Sequence, residues 1–308
     1  MARIKKAKLN NVMPPKTKKQ KRMIFREHVR INSFLLPSLI GVLLFFVLPF
    51  TVVVAYAMVN NPIQMQFVGF ENFVRVFRNV AFKQAAWNTL RFSFVSVPLA
   101  VILSLILAML LDDSIPGHSQ FRTAFLTPLM VPVASIVLIF QVLFHYNGVV
   151  NEMITAMGLN KIDWFNSDYA MVVVVLLFLW KNLGYNMILF LSALNNIPKD
   201  IIEVARLESA NEWQIFFKIK LRYLSPTILF VTIMSLISSF KVFREVYLLT
   251  GDYPYDSLYM LQHFMNNTFK SLDYQKLSAA AILMSIVMVI IIGALFMIEN
   301  RYGRDVEE

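Results

Sequence analysis

Residues 89–111 read TLRFSFVSVPLAVILSLILAMLL, with Arg91 the only charged side chain. At 1.5 Å per residue this stretch exceeds the ~20 residues that a helix needs to cross a hydrocarbon layer. A core helix of a soluble protein would be shorter and would carry polar residues on one face. Comparable stretches recur at 34–59, 123–145, 170–194, 224–250 and 277–298. They predict an all-α, polytopic membrane protein with six transmembrane helices. Composition agrees: 57% of residues are hydrophobic and 16% charged, against about 25% charged in a soluble domain. Pro37, Pro49, Pro98, Pro128 and Pro132 fall inside these stretches, where neighbouring helices can satisfy the backbone groups that proline frees.

The basic residues orient the chain. Of 29 lysines and arginines, 19 lie in 1–33, 112–122, 195–223 and 299–308. Six lie on the opposite set of loops, and Arg91, Lys181, Lys241 and Arg244 fall within the spans. The positive-inside rule then places both termini in the cytoplasm. The chain divides into a basic tail (1–33), a six-helix domain (34–298) and a short tail (299–308). The first tail, polar and Lys-rich, is expected to be disordered to about Phe25. The first span is about twice the length of a signal h-region and no cleavage pattern follows it, so we read it as uncleaved.

Several chemistries are disfavoured. There is no cysteine, hence no thiolate nucleophile or metal ligand. His28, His118, His145 and His263 show no ligand spacing. No Gly-Lys-Ser/Thr loop is present to cradle a phosphate, so any ATPase driving the system is a separate polypeptide. No catalytic residue is assigned. Between the first two spans, ENFVRVFRNVAFKQAAWNTL carries Phe73 and Phe77 at helical spacing with Arg75 and Arg78 turned away, an outer helix over about 71–87. This predicts a short helix, either in the outer interface or packed on the spans.

The longest inner loop holds IPKDIIEVARLESANEWQIFFKIKLRYLSP, residues 197–226. Pro198 ends the fourth span, and Asp200 is expected to cap a new helix with Ile201, Val204, Ala205 and Leu207 on its apolar side. Small residues follow at Ser209 and Ala210, and then a second apolar run from Trp213. A loop so built needs something to cover its aromatics, and a cytosolic partner accepting a helix in a groove is the functional reading.

At these residues the chain resembles the permease subunits of binding-protein-dependent ABC importers. Glu203-Val204-Ala205, Ser209-Ala210, Gln214-Ile215-Phe216, Ile219, Leu221 and Pro226 are similar to their EAA loop. Val204, Ser209 and Arg222 stand where the pattern has Ala, Gly and Pro, and Ser209 has less access to positive φ than glycine. Segments VGFENFVRVF, IDWFNSDYA, WKNLGYNMILFLSALNNIP and SSFKVFREVYLLT resemble carbohydrate permeases of the maltose and glycerol-phosphate type. LLTGDYPYDS departs from that group's Gly-Gly-Pro.

The resemblance implies a docking loop in which Glu203, Ala205, Ser209, Ala210, Trp213 and Phe216 meet an ATPase. It also implies a solute pathway at Leu183, Gly184 and Met187, opposite Ser239, Lys241 and Val242, with Lys181 nearby. The implied partners are a second permease, two copies of a cytosolic ATPase and an extracytoplasmic binding protein, in a bacterial or archaeal inner membrane. The chain itself is expected to bind no cofactor, with ATP and Mg²⁺ used by the ATPase. Lys181 and Lys241 raise the expectation of an acidic saccharide. Against this, Lys181 has the option of snorkelling, and Lys241 has Glu245 four residues on. A six-span secondary carrier is the alternative, and it would need midplane carboxylates. Glu245 is the single acidic residue in the spans.

Overall fold

The architecture is taken from a computed structural model that describes residues 33–112 and 117–302. The expectation of a disordered tail lies almost wholly outside these residues, as does the end of the C-terminal tail.

The chain divides into two compact units at Ala55/Tyr56. In its described part the first is helical, and it forms most of α1 (Ser33–Ala57), which contains a π-helical segment at Leu43–Val47. The second unit holds the remaining helices. They are α2 (Glu71–Arg78), α3 (Val80–Asp112), α4 (His118–Met130), α5 (Val133–Leu143), α6 (Val149–Ala156) and α7 (Ala170–Asn195). After them come α8 (Lys199–Leu207), α9 (Glu212–Ile215), α10 (Ser225–Phe240), α11 (Phe243–Thr250), α12 (Leu261–Lys270) and α13 (Tyr274–Tyr302).

Among the described residues, five helical stretches are long and apolar enough to span a membrane: Ser33–Ala57, Val80–Asp112, Ala170–Asn195, Ser225–Thr250 and Tyr274–Arg301. The expected third span is not one straight helix. Ser119–Met130 and Val133–Leu143 meet at 102°, so the number of spans is six only if this bent pair is one of them. The cause is local. Pro132 offers no amide hydrogen and disfavours helical geometry in the residue before it, and Val131 is extended at φ −83°, ψ 131°. The stretch Ser225–Thr250 is also interrupted, at Lys241 and Val242.

The core is built around α7, which packs along α3. On α3 the buried positions Ser93, Ser96, Ala100, Ser104 and Ala108 recur at three- and four-residue spacing. Small side chains let two backbones approach closely, which drives association where lipid cancels the hydrophobic effect. Gly184 plays the same part at the crossing of α7 and α4. A Cβ there would overlap the Phe125 carbonyl, whose carbon lies 2.6 Å away. Phe92 meets Phe178 edge to face at 5.5 Å between centroids. Two clusters result, one around Phe92, Phe140, Leu177 and Val246, the other around Met187, Phe190, Leu194 and Val231.

Buried amides fasten the opposite end. Asn72 donates to the Ala57 and Val59 carbonyls at 3.0 and 2.8 Å, docking α2, which packs on α13. The buried face of α2 is therefore Asn72 and Val76, while Phe73 is half-buried and Phe77 exposed. Asn88 donates to the Asp256 and Tyr259 carbonyls at 2.6 and 3.0 Å. His263 is fully buried on α12, where the Met260 amide donates to Nδ1 and Phe243 packs edge-on. Burial pushes its pKa down to about 4, with Asp252 opposing weakly, so the ring is neutral near pH 7.

Candidate functional site

The loop between α7 and α10 folds as two short helices joined by a defined turn. Pro198 is the N-cap of α8 and makes no side-chain cap. Asp200, expected at the cap, lies in the first turn instead, where its charge favours the positive end of the helix dipole. At the other end Ala210 N donates to Ala205 O and Ser209 N to Arg206 O, both at 3.0 Å. These are the two bonds of a Schellman cap, whose C′ residue is left-handed. Ser209 occupies that position at φ 63°. The serine thus adopts a left-handed geometry that glycine, which stands here in the resembled pattern, takes more freely. A left-handed L-residue costs roughly 1–2 kcal/mol, and glycine avoids it at some entropic cost. Ser209→Gly is accordingly expected to raise stability by about 1 kcal/mol or less, read as an upward shift of Tm in detergent. A fall in Tm would contradict the turn.

Beyond the turn, Asn211 caps α9 reciprocally with Gln214: Gln214 N donates to Oδ1 at 2.8 Å and Asn211 N to Gln214 Oε1 at 2.9 Å. The chain continues through a π turn, Phe216–Lys220, into Leu221–Tyr223. Arg206 bridges the two helices to Glu212 at 3.0 Å, an exposed pair that orients more than it stabilises.

No residue of α8 is buried. Ile202, half-buried, packs on the membrane core, while Val204 is 54% and Leu207 85% exposed. The apolar side predicted for α8 therefore points mainly away from the chain's own helices. Trp213 is 72% and Phe217 59% exposed, and their rings stack at 6.1 Å. Glu203 and Ser209 are exposed too, whereas Ala205, Ala210 and Phe216 are half-buried. Phe217 belongs to the apolar run that starts at Trp213 and stands four residues on, the spacing that brings two helical side chains together.

The second region lies between α7 and the α10–α11 break. Lys181, Asn182, Ser238, Lys241, Val242 and Glu245 are among the residues lining a cavity of about 110 Å³. Lys181 donates to Glu245 Oε1 across 64 positions of sequence. The expected Lys241–Glu245 pair is absent, because Lys241 is the C-cap of α10 and the helical register is lost there. Lys181 does not snorkel unpaired, and its charge is compensated.

The other residues implied by resemblance are packed in this conformation. Met187 is fully buried, Gly184 is the α7–α4 contact, and Leu183 packs on the core. Ser239, also buried, bonds Ser93 Oγ at 2.8 Å. Trp180 packs on Phe140 at 5.5 Å. Glu245, Asn182 and Ser238 were not chosen from sequence. A lone acid inside a span was the available signal for the first.

Residues 116–303 match the model of a family described as the binding-protein-dependent transport system inner membrane component. The chain belongs to that family. It is a permease component, embedded in the inner membrane by several helices. Over 228 residues it is 32% identical to the sulfoquinovosyl glycerol transport system permease protein SmoG of Agrobacterium fabrum, covering 73% of this chain and 74% of that protein. It is 31% identical to the lactose transport system permease protein LacF of Rhizobium radiobacter, covering 77% and 82%. It is 29% identical to the trehalose/maltose transport system permease protein MalF of Thermococcus litoralis, covering 91% and 97%. The permease superposes on a chain of a bacterial importer of the acidic polysaccharide alginate with a TM-score of 0.78, at 21% identity, covering 92% and 99%. That likeness bears on the fold alone.

Proposed function

We propose that this permease forms half of the translocation pathway of an ATP-driven sugar importer, with a second permease supplying the other half. The observation that carries the reading is the α8–α9 loop, which turns Val204, Leu207, Trp213 and Phe217 away from its own protein. Exposed aromatics at interfaces act as anchors in a partner's pocket. The partner is a cytosolic ATPase, two copies per importer, which binds ATP and Mg²⁺ that this chain does not. A left-handed Ser209 and a reciprocal Asn211–Gln214 cap hold the loop in one shape, so a push from the ATPase is transmitted to α7 and α10. An extracytoplasmic binding protein delivers the solute to the other side. The sugar assignment rests on the relatives, which carry glycosides and disaccharides by name. A secondary carrier would need a midplane ion site, and Glu245 is already engaged by Lys181.

The reading requires both termini and the α8–α9 loop to be cytoplasmic. The chain has no native cysteine, so single cysteines report without background. Cysteines at Asn160 and Asp256 are expected to react with an impermeant maleimide from outside intact cells. A cysteine at Asn195 is expected to react only after permeabilisation. Labelling of Asn195 from outside would invert the protein and remove the docking argument.

A further inference from the structure

Three kinds of surroundings meet on α2. Asn72 and Val76 are buried against the chain's own helices. Phe70 at the N-cap, Val74 and Phe77 are 70%, 45% and 55% exposed. Glu71, Arg75 and Arg78 are exposed as well. At ~100° per residue the three sets fall on separate arcs, with centres roughly 120° apart. A helix on the surface of a soluble domain needs two faces, an apolar one for the core and a polar one for water. The third face of α2 is apolar and lies open among the described residues.

The depth of that face follows from what it adjoins. Asn72 ties α2 to the Ala57 and Val59 carbonyls, where the first apolar stretch ends. Phe77 lines a cavity of about 140 Å³ together with Leu90, Leu283, Met284 and Val287. Those four belong to the apolar stretches of α3 and α13, and Leu90 and Val287 are themselves exposed. The open arc of α2 is therefore continuous with the surface that the spans turn toward hydrocarbon. The charged arc points elsewhere. Arg75 pairs with Glu71 at 2.6 Å, while Arg78 and, in the first turn of α3, Lys83 make no ion pair among the described residues. Long basic side chains at such a level lay their stems along apolar surface and hold their charge among headgroups. A soluble partner would approach from the water, where α2 presents charge and not its aromatics.

We propose that α2 is an interfacial helix, with Phe70, Val74 and Phe77 immersed at the boundary between acyl chains and headgroups, and with Arg78 and Lys83 among the lipid phosphates. This is the arrangement of an amphipathic helix lying in the plane of a bilayer, with one flank docked on protein. The contact holds whichever side of the membrane the helix occupies. With the orientation proposed above the leaflet is the outer one, so that reading and this inference fail separately.

The absence of cysteine from the chain allows a direct test. Phe70→Cys, Val74→Cys and Phe77→Cys form one set, and Glu71→Cys, Arg75→Cys and Arg78→Cys the other. Each carries a nitroxide label, in the full complex with cysteine-free partner subunits, reconstituted in vesicles of phosphatidylethanolamine and phosphatidylglycerol. All six native side chains are exposed, so the labelled chains are expected at wild-type yield. Oxygen concentrates in hydrocarbon and a neutral nickel chelate stays in water. The ratio of oxygen to nickel collision rates is expected to be at least threefold higher at 70, 74 and 77 than at 71, 75 and 78. Equal ratios in the two sets would place the aromatics in water and overturn the proposal. Exclusion of both reagents from 70, 74 and 77 would show that protein covers the face, and would overturn it equally.

Discussion

Replacing Gly184 by alanine is expected to destabilise the permease by about 3 kcal/mol, at the upper end of what overpacking a well-filled interior costs. The added methyl would sit against backbone, the carbonyl of Phe125, and not against the free end of a side chain. Backbone cannot rotate away. Relief requires α4 to shift along or away from α7, and the Val131–Pro132 bend is the only break between α4 and α5. The loss should be visible as a lowered midpoint of unfolding in detergent titration, and Gly184→Leu should give no folded protein. A Gly184→Ala variant with unchanged stability would mean that α7 and α4 do not cross in contact at this position.

The second large effect concerns the α8–α9 loop. Glu203→Lys reverses a charge at the proposed contact, and Ala205→Trp adds bulk where a helix must lie in a groove. Each is expected to reduce solute-stimulated ATP hydrolysis of the purified complex at least tenfold. Trp213→Ala removes the exposed anchor, and truncating such a residue typically costs about 2 kcal/mol of binding, roughly thirtyfold in affinity. The permease itself should remain folded, since Glu203 and Trp213 are exposed and no residue of α8 is buried. If all three variants keep wild-type stimulated hydrolysis, the loop does not couple the ATPase to transport.

Hydropathy located the membrane helices because burial in lipid demands uninterrupted apolar length. For α7 the expected 170–194 and the observed Ala170–Asn195 differ by one residue. It failed where polar residues extend a helix. Lys83 and Gln84, expected in a separate outer helix, follow a break at Asn79 and form the first turns of α3 with Asn88. Asn88 ties them to the segment before α12. Proline content did not disclose the bend at Val131, since Pro98 sits inside α3 without ending it. The outcome depends on whether neighbours fill the missing bond.

The site was legible in the same uneven way. The turn after α8 was marked by small residues, and the structure gives the serine there the conformation glycine would take. The Lys181–Glu245 pair joins helices far apart in the chain, and no spacing rule reaches that distance. The local rule pointed to Lys241 instead and failed when the helix broke at that residue.

The central claim is that transport by this permease is driven by a separate ATPase through the α8–α9 loop. The most direct measurement is uptake of radiolabelled sugar into proteoliposomes bearing both permeases, with the binding protein and ATP supplied on opposite sides. The account predicts uptake when the ATPase is bound and ATP is present, and none when either is omitted. Uptake driven by an ion gradient without the ATPase would contradict it.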